Sequence, residues 1–241
     1  MASLYLTDAL GDPRPGTRVE VTGDEARHAL QVARVRAGER IAVGDGRGRI
    51  ARGVVAEAAA GVLAVEVDEV VHEPERRPAL WLAQALAKGD RDELAIQAAT
   101  ELGVAGVIPW AAERSVSRWE GAKVARNEQR WRTIVREATK QAIRFRVPEV
   151  AQLATTAQLA ALPGLVVVLE PTASLPLTAV ALDDAERVTL VVGPEGGVAP
   201  RELERFTDGG AVLARLGTEV LRTSTAGPAA LAVLNARLGR W

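Results

Sequence analysis

The chain is 241 residues long, with 48% hydrophobic and 25% charged residues and a formal net charge of −1, the composition of an ordinary globular protein with a sizeable core. It contains no cysteine and only two histidines, His28 and His72, which excludes disulfides, thiolate nucleophiles and cysteine-ligated zinc; a carboxylate-only magnesium site stays open, but no clustered acidic motif points to one, and no metal is expected. No uninterrupted apolar run approaches the roughly 20 residues of a membrane span, and the start, MASLYLTDALGDPRPG, lacks the basic and then apolar run of a secretory signal; a cytoplasmic location and no membrane partner are expected.

Along the first 70 residues apolar and polar side chains alternate with period two. The stretches TRVEVTG, ERIAVGDG, RIARGVVAE and VLAVEVDEVV read as strands separated by glycine-containing turns. One helical insert, DEARHALQVARV, interrupts them, and a small barrel-like β domain over residues 1–74 is expected. The segment VHEPERRPAL then brings two prolines and a charge cluster, which places a boundary near residue 74.

Beyond it the pattern changes to apolar runs of strand length alternating with helices. ALWLAQAL precedes a helix from about Arg91 to Gly103, and GVIPW precedes one from about Lys123 to Ile143. LVVVLE is followed by a short helix, VTLVVG by a helix from about Pro200, and AVLARLG by a last helix running to Trp241. Continuous apolar strands with helices between them predict an α/β domain over residues 75–241, its parallel sheet covered on both faces. In the second of these helices Trp131, Ile134, Val135, Ala138 and Ala142 form one apolar stripe, with Arg132, Arg136 and Lys140 on another face. That helix is expected to dock on the sheet by its stripe and to turn the basic residues outward.

The charge is unevenly spread. From Arg114 to Arg146 there are ten basic residues against three acidic ones, which reads either as the footprint of a polyanion or as a solvated helical face. Ligands of open parallel sheets bind at the carboxyl ends of the strands, and three such ends stand out: VVVLEPT, VVGPEGG and RLGTEVLRTST. In the middle one Gly193, Gly196 and Gly197 remove side chains and Pro194 stiffens the turn, which admits a ligand against backbone groups or makes a tight connection. There is neither a G-x-G-x-x-G fingerprint nor a P-loop lysine, so a nucleoside triphosphate is a poor fit.

GPEGG followed by LGTEVLRTSTAGPAAL resembles the C-terminal signature of the SPOUT-class methyltransferases, and in detail the RsmE family, which methylates uracil N3 in small-subunit ribosomal RNA. HALQVARVRAGERIAVGDG, QALAKGDRDELAIQAATELGVAGVIPWAAERSV and REATKQAIRFRVPEV agree with the same family in order and spacing, so the resemblance covers nearly the whole chain. It implies a PUA-like β-barrel followed by an α/β domain with a deep trefoil knot. It also implies an S-adenosylmethionine pocket completed by homodimerisation, and uridine 1498 of 16S ribosomal RNA in the 30S subunit as the target. Carried over, the cofactor contacts fall on Leu169, Glu170, Val192, Gly193, Glu195, Gly196 and Gly197, and on Leu216, Gly217, Val220, Leu221, Arg222 and Thr223. Glycine-opened backbone with flanking Leu and Val suits adenine, and a carboxylate at 170 or 195 suits a sulfonium.

Uracil N3 carries a proton on the pairing edge, so the base must be unpaired and the proton must leave. Arg222 is expected to stabilise the developing anion at O2 or O4, and Glu195 to be a proton acceptor or a structural loop carboxylate. Arg114, Arg132, Arg136, Lys140, Arg144 and Arg146, with Lys88 and Arg91, are the expected phosphate ligands of the basic stretch. In the first domain Arg27, His28, Arg34 and Arg36 are expected to touch RNA. The chain departs from the family where relatives carry a basic residue in the first few positions and this one has MASLYL. It departs again before Pro200, where Ala199 stands in place of a capping Ser or Thr. Two other readings of the motifs are a SPOUT-class tRNA methyltransferase acting on 2′-O-ribose or guanine N1, and a non-catalytic RNA-binding assembly factor.

Overall fold

The computed structural model describes residues 3–59, 61–182 and 185–241. Met1 and Ala2, part of the departing MASLYL start, lie outside the described residues. The chain divides into two compact units, Met1–Glu75 with Thr139–Val147, and Arg76–Ala138 with Pro148–Trp241. The assignment of Thr139–Val147 to the first unit has no counterpart in the sequence pattern, which marks one boundary near residue 74.

The first unit is built on a five-stranded sheet of β1 (Leu4–Leu6), β2 (Arg18–Val21), β3 (Arg40–Gly44), β4 (Arg49–Ala59) and β5 (Val62–His72), in the order β1-β3-β4-β5-β2. β1 runs parallel to β3 and the remaining pairs are antiparallel. Period-two alternation decides what each face buries. Tyr5, Val19, Val21, Ile41, Val43, Ala51, Val55, Leu63 and Val65 point into one core, closed by Ala26 of α1 (Gly23–Arg27) and Ala29 of the π turn that continues it. Leu4, Leu6, Ala42 and Ile50 face the other way and pack against Ile143, Phe145 and Val147.

That second layer explains why the 139–147 segment belongs here: it covers apolar side chains that would otherwise meet water. Its backbone is tied down by Gly48 N–H to the Phe145 carbonyl at 3.0 Å and Val147 N–H to the Gly46 carbonyl at 2.9 Å. Gly48 has φ +116°, and a Cβ there would stand 2.5 Å from the Arg146 guanidinium, so only glycine fits the approach.

The second unit holds a six-stranded, wholly parallel sheet. β6 (Ala79–Ala85), β7 (Gly106–Trp110), β8 (Glu149–Val150), β9 (Leu165–Leu169), β10 (Arg187–Val192) and β11 (Val212–Ala214) lie in the order β11-β9-β10-β6-β7-β8. The helices are α2 (Arg91–Glu101), α3 (Ala122–Gln141), α4 (Thr156–Ala160), α5 (Pro200–Asp208) and α6 (Thr223–Arg237), the last turn of α3 being counted with the first unit. The α/β class is the one the sequence predicts; β1, β8 and α4 are too short for periodicity to register.

One face of this sheet buries Ile108, Trp110, Val166, Val168 and Val191 under Leu159 of α4 and Phe206 of α5. Trp110 meets Phe206 edge to face at 5.6 Å between centroids. On α3 Trp131, Val135 and Ala138 are buried as the stripe predicts, and Trp131 stands edge-on to Trp119 at 5.4 Å. α6 packs against α2, β6 and β10. Gly227 lets it approach closely, since a Cβ there would be 2.9 Å from Leu82. β11 lies at the sheet edge beyond β9, so the segment from 215 to 222 carries the chain back across β9 to bring α6 onto β10 and β6.

Ala199 is the N-cap of α5 and has no side-chain acceptor, as its sequence implies. Glu202 supplies the missing order: buried, it accepts the Ala199 N–H at 3.2 Å, the Glu113 N–H at 3.0 Å and the Thr156 hydroxyl at 2.6 Å. Glu202→Ala leaves three donors without their acceptor, and a loss of about 2–3 kcal/mol in unfolding free energy is expected by denaturant titration.

Candidate active site at the strand ends

Parallel registration brings four strands to a common finish. Ala214, Leu169, Val192 and Gln84 are successive register partners across β11, β9, β10 and β6, so the loops that follow these strands all leave the sheet at one level. They surround a cavity of about 400 Å³, within the ordinary range for small-molecule sites.

Of the thirteen residues that the resemblance places at the cofactor, all but Gly196 and Gly217 line this cavity. The Gly193–Gly197 turn forms one wall. Gly197 has φ +72° and donates its N–H to the Pro194 carbonyl at 2.9 Å, while a Cβ on Gly193 would press on Val198 at 2.8 Å. Gly196 faces elsewhere; its carbonyl accepts from the Arg114 guanidinium at 3.0 Å. The second wall is the 216–223 segment, from which Leu216, Val220, Leu221, Arg222 and Thr223 enter the lining. Glu170 closes a third side, its carboxylate accepting the Thr172 N–H at 3.2 Å and hydroxyl at 2.8 Å.

Sequence reasoning omits Pro171, Pro194, Val198, Glu219 and Ala226, which also line the cavity; each lies within a few residues of a motif position, and that adjacency was the available signal. Arg91, expected on RNA, lines it as well. Its guanidinium is 2.9 Å from the Glu195 carboxylate, which also accepts the Lys88 N–H at 3.1 Å. For Glu195 the burial that would raise its pKa is outweighed by hydrogen bonds from its own backbone N–H, from Lys88 and from Arg91, so the carboxyl is held below its ordinary value. Glu195, expected as a proton acceptor or a loop carboxylate, therefore stands as an ionised group already engaged by Lys88 and Arg91 as well as by its own backbone.

Arg222 is the N-cap of α6, and its carbonyl accepts the Thr225 and Ala226 N–H groups at 2.8 and 3.0 Å. Its side chain is exposed on the cavity wall, and among the described residues no carboxylate pairs with it. The lining thus combines apolar side chains and opened backbone with one engaged and one unengaged guanidinium. That set suits a neutral heteroaromatic ligand beside a group that develops negative charge, and it lacks the lysines a polyphosphate would call for.

Residues 74–235 match the RNA methyltransferase domain family and residues 21–66 the RNA methyltransferase PUA domain. A protein of Mycobacterium tuberculosis named ribosomal RNA small subunit methyltransferase E is 42% identical over 248 residues, spanning 100% of this chain and 94% of the relative. The chain belongs to the ribosomal RNA small subunit methyltransferase E family. A Bacillus subtilis member is 30% identical, with 89% of this chain and 88% of that one covered. A Neisseria gonorrhoeae member solved with S-adenosylmethionine superposes with a TM-score of 0.86 at 26% identity, covering 98% of both chains. A Legionella pneumophila structure, also solved with that cofactor, gives 0.87 at 28% identity and the same coverage.

The residues expected on RNA divide less evenly than the charge count suggests. Arg27, His28, Arg34, Arg36 and Lys88 are exposed, with Arg27 paired to Asp24 at 2.9 Å. Arg132 stands 3.5 Å from Glu128, and Arg136 and Arg144 are half-buried. Lys140 corrects the outward-facing expectation: its ammonium is 3.1 Å from Glu25 and the side chain is only 9% exposed, so it serves the fold of the first unit. Arg146 likewise spends its guanidinium on the Glu73 carbonyl at 3.1 Å.

Proposed function

We propose that the cavity at the strand ends binds S-adenosylmethionine and that the chain transfers its methyl group to N3 of a uridine in 16S ribosomal RNA, uridine 1498 of the small subunit. The observation that carries this reading is the unengaged guanidinium of Arg222 on the wall of a glycine-opened cavity. When bound, the cofactor supplies an electrophilic methyl group on a sulfonium. Val192, Leu169, Leu216 and the backbone of Gly193 and Gly197 offer apolar contact and hydrogen-bonding groups to the adenosine portion, and Glu170 places a carboxylate on the same lining.

With the cofactor bound there, the methyl carbon would pass to N3, its bond to sulfur breaking with the electron pair left on sulfur, so that S-adenosylhomocysteine departs, while the N3 proton passes to water. Arg222 holds the negative charge that this exposes on O2 or O4, as a fixed donor does in other displacements. Glu195, clamped to Arg91 and Lys88, fixes the turn that carries Gly193 and Gly197. An unpaired or flipped base is required because N3 lies on the pairing edge.

The first unit is proposed as an RNA-binding module, with Arg27, His28, Arg34 and Arg36 on its exposed surface. The exposed apolar Val220 and Leu221 beside the cavity support a homodimer that covers them, and the 215–222 crossover supports the family's knotted chain path. A cytoplasmic setting follows from the substrate. Because the proposed contacts are cationic, the logarithm of RNA affinity should fall linearly with the logarithm of salt concentration, by about 0.7–0.9 per phosphate neutralised; affinity flat across salt would remove the phosphate contacts. Mass analysis of ribosomal RNA from cells lacking the protein tests the whole reading, the expected result being loss of a single N3-methyluridine.

A further inference from the structure

Gln84 is the penultimate residue of β6 and is fully buried, and it is not among the residues lining the cavity. Its amide Nε2 donates to the Thr223 hydroxyl at 2.8 Å and to the Ala85 carbonyl at 3.2 Å, and the hydroxyl donates onward to the Gly193 carbonyl at 2.8 Å. Since the hydroxyl's single proton goes to Gly193, the oxygen must accept from Gln84, which fixes the orientation of the amide. One chain of two hydrogen bonds therefore links β6, the glycine turn after β10 and the first residue of α6, two otherwise separate walls of the cavity.

The amide also carries a penalty. Among the described residues Gln84 Oε1 has no hydrogen-bond partner, and an unmatched buried carbonyl disfavours the folded state. An apolar side chain of similar length would fill the same space without that penalty. The position thus holds an amide whose one contact with another element is the Thr223 hydroxyl, its second donor bond staying within β6 at the Ala85 carbonyl.

We propose that Gln84 is a positioning residue of the methyl-transfer site, holding Thr223 against Gly193 and thereby setting Arg222, the neighbouring residue, relative to the glycine turn. The inference rests on the reading of this cavity as the cofactor site. It goes beyond that reading by giving a role to a residue outside the cavity lining.

The test uses the full chain, with S-adenosylmethionine titrated calorimetrically, thermal unfolding followed without cofactor, and steady-state transfer to 30S subunits. For Gln84→Leu the expected result is cofactor affinity weakened about tenfold, the scale of one buried hydrogen bond, with a lowered kcat and an unfolding temperature close to that of the unaltered chain, since relief of the unmatched Oε1 offsets loss of the Ala85 contact. Thr223→Val should weaken binding too, and the double variant should bind no worse than Thr223→Val alone, because both changes remove the same link. Unchanged affinity and kcat in Gln84→Leu would overturn the proposal, as would additive losses in the double variant or affinity lost only in step with a falling unfolding temperature. If the unaltered chain failed to bind S-adenosylmethionine, the cofactor reading itself would fall and the proposal with it.

Discussion

Arg222→Ala should lower kcat for uridine methylation by about a hundredfold to a thousandfold, the range for removing one preorganised donor at a developing anion, while cofactor affinity measured by calorimetry stays largely unchanged. Arg91 already neutralises Glu195 at 2.9 Å, whereas Arg222 is exposed on the cavity wall and is not paired with a carboxylate among the described residues. Its backbone, not its side chain, caps α6, so truncation to alanine keeps the helix start. Arg222→Lys should recover only part of the rate, because an ammonium is a point charge and cannot reproduce the planar fork. Full activity in the alanine variant would dismiss the assignment.

Glu195→Ala should weaken cofactor binding and turnover together, each by about tenfold to a hundredfold, since it removes charge-assisted hydrogen bonds from Arg91 and Lys88 that fix the glycine turn. Glu195→Gln is the informative partner. An amide oxygen still accepts from Lys88 and Arg91, so a clamp tolerates the change in large part; a proton acceptor would not. The pH dependence follows from the same contacts. Because the folded carboxyl titrates below its ordinary value, the clamp is fully charged above that ordinary value and is lost only as pH falls through the lowered one. Cofactor affinity should accordingly be flat on this account from neutral pH down through mild acid and drop only in stronger acid.

The order of strands and helices in both units was legible because each long element has a clear period, two in the first 70 residues and a buried run afterwards. Tertiary decisions were less so. Nothing local in KQAIRFRVP announces that Ile143, Phe145 and Val147 cover Leu4, Leu6 and Ile50, since the partners lie far apart in the chain. The same non-local pairing misled the reading of Lys140, whose place on a helical face looks outward until Glu25 is set beside it. In the site, the glycine turn and the LRT segment could be read because their composition is odd for strand ends. Arg91 and Gln84 could not, because an arginine opening a helix and a glutamine within a strand are unremarkable until the register places them beside Glu195 and Thr223.

The shared finishing level of β11, β9, β10 and β6 has a consequence for how the protein comes into being. Gln84, Leu169, Val192 and Ala214 are spread over most of the second unit's sequence, and the last wall, Leu216 to Thr223, is made late in synthesis. An amino-terminal fragment that stops before α6 can complete neither the Gln84 link nor the Arg222 cap, so ligand binding reports on whether the carboxyl-terminal segment has docked. Parallel pairing at such separations is slow to form. S-adenosylmethionine added during refolding should therefore act as a late selector, drawing the population toward chains whose final helix has reached the sheet.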